Sequence, residues 1–330
     1  MIGLRRSKVR PPILCTGGKG ATAAAAHERS WVADPSGKFE FEPHWQKPDV
    51  RGALHAMQGW VCAYCQRKID PRETKHVDHF RPKNGTGEGE SGGYWWLAYS
   101  FDNYLLSCGL CNERKGDRFP IEKGAARATY ETRDRLLEEA RLLTDPACDP
   151  VTQWLKVDVD DVGGHYGDVV ARPHAPASVE ARRTKETIKF FALNDDHDHL
   201  RDRIRLLEKL TKLHAKGRLN KLTRRANRYR PHSLTARSFL EAYAPELLPS
   251  AMSELRWFLE KLCKRLKAAL DLRARRGLTS GSCLRRANEI AWTLAVLWKD
   301  PPVGSSDDVA NWLDEMECRG LIKRYHDRLV

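Results

Sequence analysis

The sequence predicts an α+β protein that is mostly α. A small strand–strand–helix unit is built around a metal, and a longer helical region follows it. Two observations carry this prediction. Two Cys-x-x-Cys pairs, Cys62/Cys65 and Cys108/Cys111, frame a segment that alternates like a strand and then turns helical. Beyond residue 176, apolar residues recur at helical spacing.

Before the first pair, Met1 to Gly18 is basic and has no sustained apolar core, so no secretory signal is predicted. No run of about eighteen apolar residues occurs, which predicts no transmembrane helix. Thiolates at i and i+3 let a tight turn aim two sulfurs at one ion, and two such turns complete a tetrahedral Zn²⁺ shell. A redox Cys-x-x-Cys has no need of a second copy. Four thiolates leave no position open for water, so the zinc expected at Cys62, Cys65, Cys108 and Cys111 is structural. The other cysteines (Cys15, Cys148, Cys263, Cys283 and Cys318) show no disulfide-like rhythm. A reducing cytoplasm is therefore the expected compartment.

Between the pairs, His76 to Phe80 reads as a short strand ended by Pro82. Residues 84–93 are glycine-rich and predict a loop. The aromatic run Tyr94 to Tyr104 follows. The second pair opens a short helix carrying Asn112 and Lys115. Asp78 and Asn112 offer hard oxygens that suit Mg²⁺ or Mn²⁺. His79 suits a general base. Lys83, Arg114 and Lys115 are candidate phosphate grips. His76, two residues before Asp78, is a further phosphate contact or a partner to the site. Together these groups fit phosphodiester hydrolysis, which needs a base, a cation at the leaving oxygen and positive charge on the phosphate.

The order Cys-x-x-Cys, Asp-His, Asn, Cys-x-x-Cys-Asn-x-x-Lys resembles the four-cysteine form of the HNH endonuclease motif. The resemblance implies a treble-clef-like ββα-metal core. It makes Asp78 and Asn112 the ligands of the catalytic metal and His79 the base. Asn103 becomes the residue that steadies the loop holding the base. The strings HVDHFRPK (76–83) and YWWLAYSFDNYLLSCGLCNERKGDRFP (94–120) are similar to HNH nuclease subunits of Septu-type and retron-associated anti-phage systems. So are CAYC at 62–65, LLTDPACDP at 142–150 and TIKFFALNDDHDHLRDR at 187–203. That similarity implies DNA as substrate and an SMC-like or ABC-like ATPase as partner. Two departures are Gln66, where relatives commonly carry Glu, and Tyr104, where Leu is usual.

Two enzyme alternatives and one binding alternative stand beside this. A stand-alone restriction-like HNH nuclease would need no ATPase. A zinc deaminase would need His-x-Glu followed by Pro-Cys-x-x-Cys. The nearest string here is His76-Val77-Asp78, and neither cysteine pair follows a proline. A non-catalytic zinc module that binds nucleic acid would keep the cysteines without needing Asp78, His79 and Asn112 together.

The chain is 330 residues long, with 57 Lys+Arg against 44 Asp+Glu, a net charge of +13. That balance favours a polyanionic partner. Charge is densest at 180–230, where Tyr229 interleaves with arginines and is a candidate to stack on a base. The expected division is a nuclease domain over 1–175, with its zinc frame at 62–111, and a basic helical domain over 176–330 that binds nucleic acid or a partner. Trp154 to Asp160 alternates like a strand. Leu200, Ile204, Leu207, Leu210 and Leu213 predict one helical stripe, with Asp198 near its start, Gly217 at its end, and His197 and His199 in a solvated cap. Further helices are expected at 250–276, 283–298 and 306–320. Trp257, Trp292, Trp298 and Trp312 are expected to fill the core between them.

Overall fold

The computed structural model describes residues 1, 3–35, 38–70, 77–85, 93–160, 164–175, 177–195, 197–276 and 281–329. Its secondary structure is mainly helical, with two small two-stranded antiparallel sheets among the described residues. In chain order the elements are α1 (Lys19–Ala33), α2 (Pro48–Gln58), β1 (Val77–His79), β2 (Tyr104–Leu106), α3 (Gly109–Lys115) and α4 (Val151–Trp154). Then come β3 (Leu155–Val157), β4 (Val169–Ala171), α5 (Val179–Phe190), α6 (His197–Ala215), α7 (Leu219–Arg225) and α8 (Ser233–Tyr243). The chain closes with α9 (Ala251–Arg276), α10 (Gly281–Lys299), α11 (Ser306–Glu315) and α12 (Arg319–His326).

A helix apolar on every side must be surrounded by protein. The C-terminal half of α10 is one: Ile290, Ala291, Trp292, Leu294, Ala295, Val296, Leu297 and Trp298 are all buried. Helix α10 packs against α9, α11, α12 and, most extensively, α2. Helix α2 starts with Pro48 at its first turn, where the missing N–H is not needed. It ends at Gly59, whose φ of 67° favours glycine. Gly52 lets α2 and α10 touch: a Cβ there would lie 2.4 Å from Trp292 Cβ. Arg51 and Glu289 face each other across the same crossing at 3.2 Å, both buried. One continuous apolar core therefore runs across the division expected near residue 175.

Isolated two-stranded hairpins are marginal in water. β1 and β2 escape this because every residue of both is buried. Their register pairs Val77 with Leu106, Asp78 with Leu105 and His79 with Tyr104. Gln58, at the end of α2, fixes β2 from the side. Its Oε1 accepts from Leu106 N at 2.9 Å, and its Nε2 donates to the Leu106 carbonyl at 3.1 Å.

Several predicted helices appear with changed details. The helix expected over 306–320 is two helices, because Glu317 has φ 53° and a left-handed residue cannot continue an α-helix. α11 carries a capping box between Ser305 and Asp308. On α6 the fully buried face is His199, Arg203, Leu207 and Leu210, turned from the predicted stripe; Leu200, Ile204 and Leu213 are only partly buried. His199 is therefore a core residue and not part of a solvated cap. Trp292 and Trp298 are core residues, while Trp257 and Trp312 are partly exposed under cations. The strand expected over 154–160 is shorter, at Leu155–Val157. No helix among the described residues is long and apolar enough to cross a membrane.

Candidate active site beside a four-cysteine cluster

The first cysteine pair lies on a tight loop just past α2. Cys62 N donates to the Arg67 carbonyl at 2.9 Å, and Ile69 N donates to the Trp60 carbonyl at 2.9 Å. Gln66 turns the chain with φ 63°. Cys108 sits at the N-terminus of α3 and Cys111 in its first turn. A bond from Ala63 N to the Leu106 carbonyl, 2.9 Å, brings the two pairs together. The four sulfurs lie within 4.8 Å of one another, and Cys65 Sγ is 3.7 Å from Cys108 Sγ. A tetrahedron with Zn–S bonds of about 2.3 Å puts its sulfurs roughly 3.8 Å apart. The cluster thus suits a zinc ion by donor type and by spacing.

β1 carries Asp78 and His79 to a cavity walled by Trp45 and Gln46, just before α2, and by Asn112 and Lys115 of α3. The Asp78 carboxylate is 4% exposed. Tyr64, between the first two cysteines, donates its hydroxyl to Asp78 Oδ2 at 2.5 Å. Its ring stacks on Phe191 with centroids 4.0 Å apart. Lys115 Nζ donates to Asp78 Oδ1 at 3.1 Å and to the His79 carbonyl at 2.7 Å. Burial raises the Asp78 pKa, while Lys115 and Tyr64 pull it back.

His79 is held on three sides. Its Nε2 lies 2.9 Å from the Ala98 carbonyl. A carbonyl only accepts, so Nε2 carries the hydrogen and Nδ1 keeps its lone pair. Nδ1 has no protein partner among the described residues. Trp45 and Tyr104 meet the ring edge-on at 4.7 and 5.0 Å. Tyr104 also donates its hydroxyl to the Ala98 carbonyl at 2.5 Å, so this departure from the usual leucine braces the same oxygen that orients His79. Burial lowers the His79 pKa to about 3; the Ala98 bond opposes this, and the Lys83 and Lys115 charges add to it. The imidazole is neutral at pH 7.

Asn103 works one step behind. Its Oδ1 accepts from Arg81 N, and its Nδ2 donates to the Arg81 carbonyl, both at 2.8 Å. The Asn103 carbonyl accepts from Phe80 N at 2.8 Å. Two residues past the histidine, the backbone is thereby clamped.

Asp78, His79 and Asn112 share one cavity of about 270 Å³ with Lys83, Lys115, Trp45, Gln46 and Asp117. The Asn112 side-chain amide makes no hydrogen bond among the described residues, so its oxygen is open to a ligand. Each Asp78 oxygen keeps a second lone pair beyond its bond to Tyr64 or Lys115. One carboxylate and one amide oxygen lining the same cavity fit Mg²⁺ or Mn²⁺, ions that favour oxygen ligands. Lys83 lies over the Phe41 and Trp45 rings at 5.2 and 5.5 Å. Burial lowers its pKa; Asp117 opposes this and Lys115 assists it.

Not every candidate lands where the sequence suggested. Lys115 lines the cavity but is 1% exposed and engaged with Asp78, so it serves the acid and not a phosphate. Arg114 points away and donates to the Phe191 carbonyl at 3.0 Å. His76 lies outside the described residues. Tyr229 is buried and stacked on Phe258 at 4.0 Å with planes 7° apart, so it has no free face for a base. Sequence reasoning missed Tyr64, Trp45, Gln46 and Asp117. Tyr64 carried one signal: an aromatic hydroxyl between two metal-type cysteines.

Residues 62–118 match the family model described as HNH endonuclease. The chain carries an HNH endonuclease domain. That domain spans the whole cysteine frame together with Asp78, His79, Asn103 and Asn112. Around it, the chain is 35% identical over 138 residues to "Septu protein PtuB" of Bacillus mycoides (strain KBAB4), covering 40% of this chain and 45% of that protein. It is 32% identical over 78 residues to "Retron Vc95 putative HNH endonuclease" of Vibrio cholerae serotype O1 biovar El Tor, covering 22% and 35%. It is 32% identical over 90 residues to "Septu protein PtuB" of Bacillus thuringiensis, covering 27% and 32%. The matched stretches thus span less than half the length of each relative. No solved structure matches. The HNH domain is the part of the chain whose relationship is clearest, and it coincides with the cavity.

Proposed function

We propose that this chain is a metal-dependent HNH endonuclease that hydrolyses phosphodiester bonds of DNA. We further propose that it is the nuclease of an anti-phage defence complex with an SMC-like or ABC-like ATPase. The observation that carries the nuclease reading is the single cavity shared by His79, the Asp78 carboxylate and the Asn112 amide. Similarity to proteins named for Septu and retron systems supports the defence role. In this reading Cys62, Cys65, Cys108 and Cys111 hold a structural zinc within a treble-clef-like ββα-metal core. Residues 1–175 form the nuclease domain, and 176–330 form the helical region that binds nucleic acid or the partner.

Asp78 and Asn112 would hold Mg²⁺ or Mn²⁺. When bound, that ion supplies Lewis-acid stabilisation of charge on the phosphate and the departing oxygen. His79 does the proton work. Its Nε2–H is committed to Ala98, so Nδ1 faces the cavity as the base that takes a proton from water. Lys115 opposes the rise that burial imposes on the Asp78 pKa. Lys83, at the cavity wall, offers positive charge to a substrate phosphate. Asn103 positions the base through the Arg81 backbone and touches no reacting atom.

The test is His79→Ala in the full-length chain, assayed for Mg²⁺- or Mn²⁺-dependent nicking of plasmid DNA. Cleavage should be lost while zinc content and melting temperature stay close to the parent's. Undiminished cleavage would remove His79 from the role of base.

A further inference from the structure

A second cavity opens at the other end of α3. It measures about 720 Å³, and Cys108, Gly109 and Leu110 form part of its wall. Its rim is basic. Arg67 and Lys68 come from the loop after the first cysteine pair, Arg205 and Lys209 from α6, Arg225 from the end of α7, and Arg230 from the turn before α8. Two acids, Asp70 and Asp202, line it as well. Asp202 is already shared by Arg67 at 3.4 Å and His232 at 3.9 Å. Lys68, Arg205, Lys209, Arg225 and Arg230 form no ion pair among the described residues.

Such an arrangement repels itself. Arg205 and Lys209 stand one helical turn apart, a spacing at which like charges destabilise a helix. Arg230 has a buried Nε without a hydrogen-bond partner. Its guanidinium lies 4.6 Å from the Trp257 ring centre, and Lys261 Nζ lies 4.8 Å from the same ring. Burial, then the charges of Arg265, Arg230 and Lys68, lower the Lys261 pKa to about 8. An anion entering the groove offsets the charges of Arg205, Lys209 and Arg230, all of which line it.

The groove's position suggests which anion. α3 has seven residues and so spans roughly 10 Å at 1.5 Å per residue. One DNA strand advances about 3.4 Å per nucleotide, so about three nucleotides reach from this groove to the cavity of His79. No Phe, Tyr or Trp among the described residues lines the groove. It grips charge and does not stack bases.

We propose that this groove is a second nucleic-acid site, which holds the sugar-phosphate backbone on the far side of the zinc frame and feeds the strand along α3 to the catalytic cavity. The choice of nucleic acid as ligand rests on the nuclease reading above. Binding there is independent of base sequence.

The experiment uses the full-length chain carrying His79→Ala, so that bound DNA stays intact, and a fluorescent DNA duplex titrated across a salt series. Arg205→Gln with Lys209→Gln is compared with the parent. Both residues are exposed on α6. Lys212→Gln, exposed on the same helix but outside the groove, is the control for folding and for general charge loss. The double variant should weaken binding equally for unrelated sequences. The slope of log affinity against log salt should shrink by about 0.9 for each phosphate no longer neutralised, roughly 1.8 for the two residues together. The Lys212→Gln control should keep the parent slope. An unchanged slope and affinity in the double variant would overturn the proposal. So would an unchanged DNA slope alongside lost binding to poly-glutamate, which would make the groove a dock for an acidic protein. The two readings fail separately. If His79→Ala still cleaves while the groove variant loses its slope, the groove stands and the base assignment falls. If His79→Ala is inactive but the groove variant binds like its parent, the reverse holds.

Discussion

Lys115 Nζ sits 3.1 Å from Asp78 Oδ1 with both groups buried, so the lysine at the end of α3 is the internal counter-ion of the acid on β1. Removing one partner of such a pair leaves the other buried and uncompensated, which costs about 3–5 kcal/mol. Lys115→Met is expected to destabilise the chain by that order and to abolish cleavage. Urea denaturation of the variant measures the first effect. A loss under about 1 kcal/mol would mean that Asp78 does not depend on Lys115.

Asn103→Ala leaves the Arg81 N–H and carbonyl without partners. Each unsatisfied buried group costs about 1–3 kcal/mol, so the substitution should cost roughly 2 kcal/mol or more. If Asn103 positions the base and does not touch substrate, kcat should fall while KM stays near the parent value. Steady-state nicking kinetics read this split. A rise in KM alone would assign Asn103 to substrate binding.

Cys108→Ser removes one thiolate from the cluster. A structural zinc contributes its binding energy to folding, so the variant should lose zinc and melt at a lower temperature. Elemental analysis beside calorimetry checks both. One zinc per chain with an unaltered melt would refute a four-thiolate site.

The Arg51–Glu289 pair makes stability depend on pH. Burial raises the Glu289 pKa, and Arg51, Arg285 and Arg286 only partly offset it. A carboxylate with a raised folded pKa binds its proton more tightly when folded. Its contribution is therefore most favourable below the unfolded value, near about 4.3, and declines as pH rises through the folded value. Burial lowers the Arg51 pKa in turn, so desolvation governs both partners. Glu289→Ala should cost about 3–5 kcal/mol by removing the counter-charge that Arg51 faces across the α2–α10 crossing. Arg51→Met combined with Glu289→Leu should come closer to the parent and flatten the acid-side slope. Denaturation at several pH values distinguishes the two. A double variant as unstable as the single one would show that the charges themselves hold α2 to α10.

The clustering of the four cysteines was legible because metal chemistry dictates residue type and spacing together, and the motif order pointed to the cavity that Asp78, His79 and Asn112 share. What surrounds them was not. Whether Lys115 turns inward toward Asp78 depends on how α3 packs on β1, which spacing along a seven-residue helix does not encode. Tyr229 looked free among arginines because the sequence does not show Phe258 waiting for its ring. His199 looked solvated among acids and a second histidine, yet the face of α6 that packs inward is set by Arg203, bonded to the Gly167 carbonyl at 2.5 Å. The crossing of α2 with α10 joins segments far apart in the chain, beyond the reach of any local pattern. The helices expected over the Leu200–Leu213 stripe, 250–276 and 283–298 followed from periodicity, and the one at 306–320 was split by a single left-handed residue, whereas α1, α2, α5, α7 and α8 were not read from the sequence.

Gln66 and Gln58 carry a final consequence. Gln66 Oε1 accepts from Leu234 N at 3.0 Å, and its carbonyl accepts from His232 N at 3.0 Å, so the first cysteine loop caps α8. Gln58 grips β2 from before the matched segment, and Phe191 backs Tyr64 from beyond it. The catalytic unit is thus no transplantable cassette. Residues 62–118 excised or grafted elsewhere would sever these bonds at both margins and uncover the ring behind the acid's partner, so a minimal nuclease engineered from this chain must bring α2, α5 and α8 along.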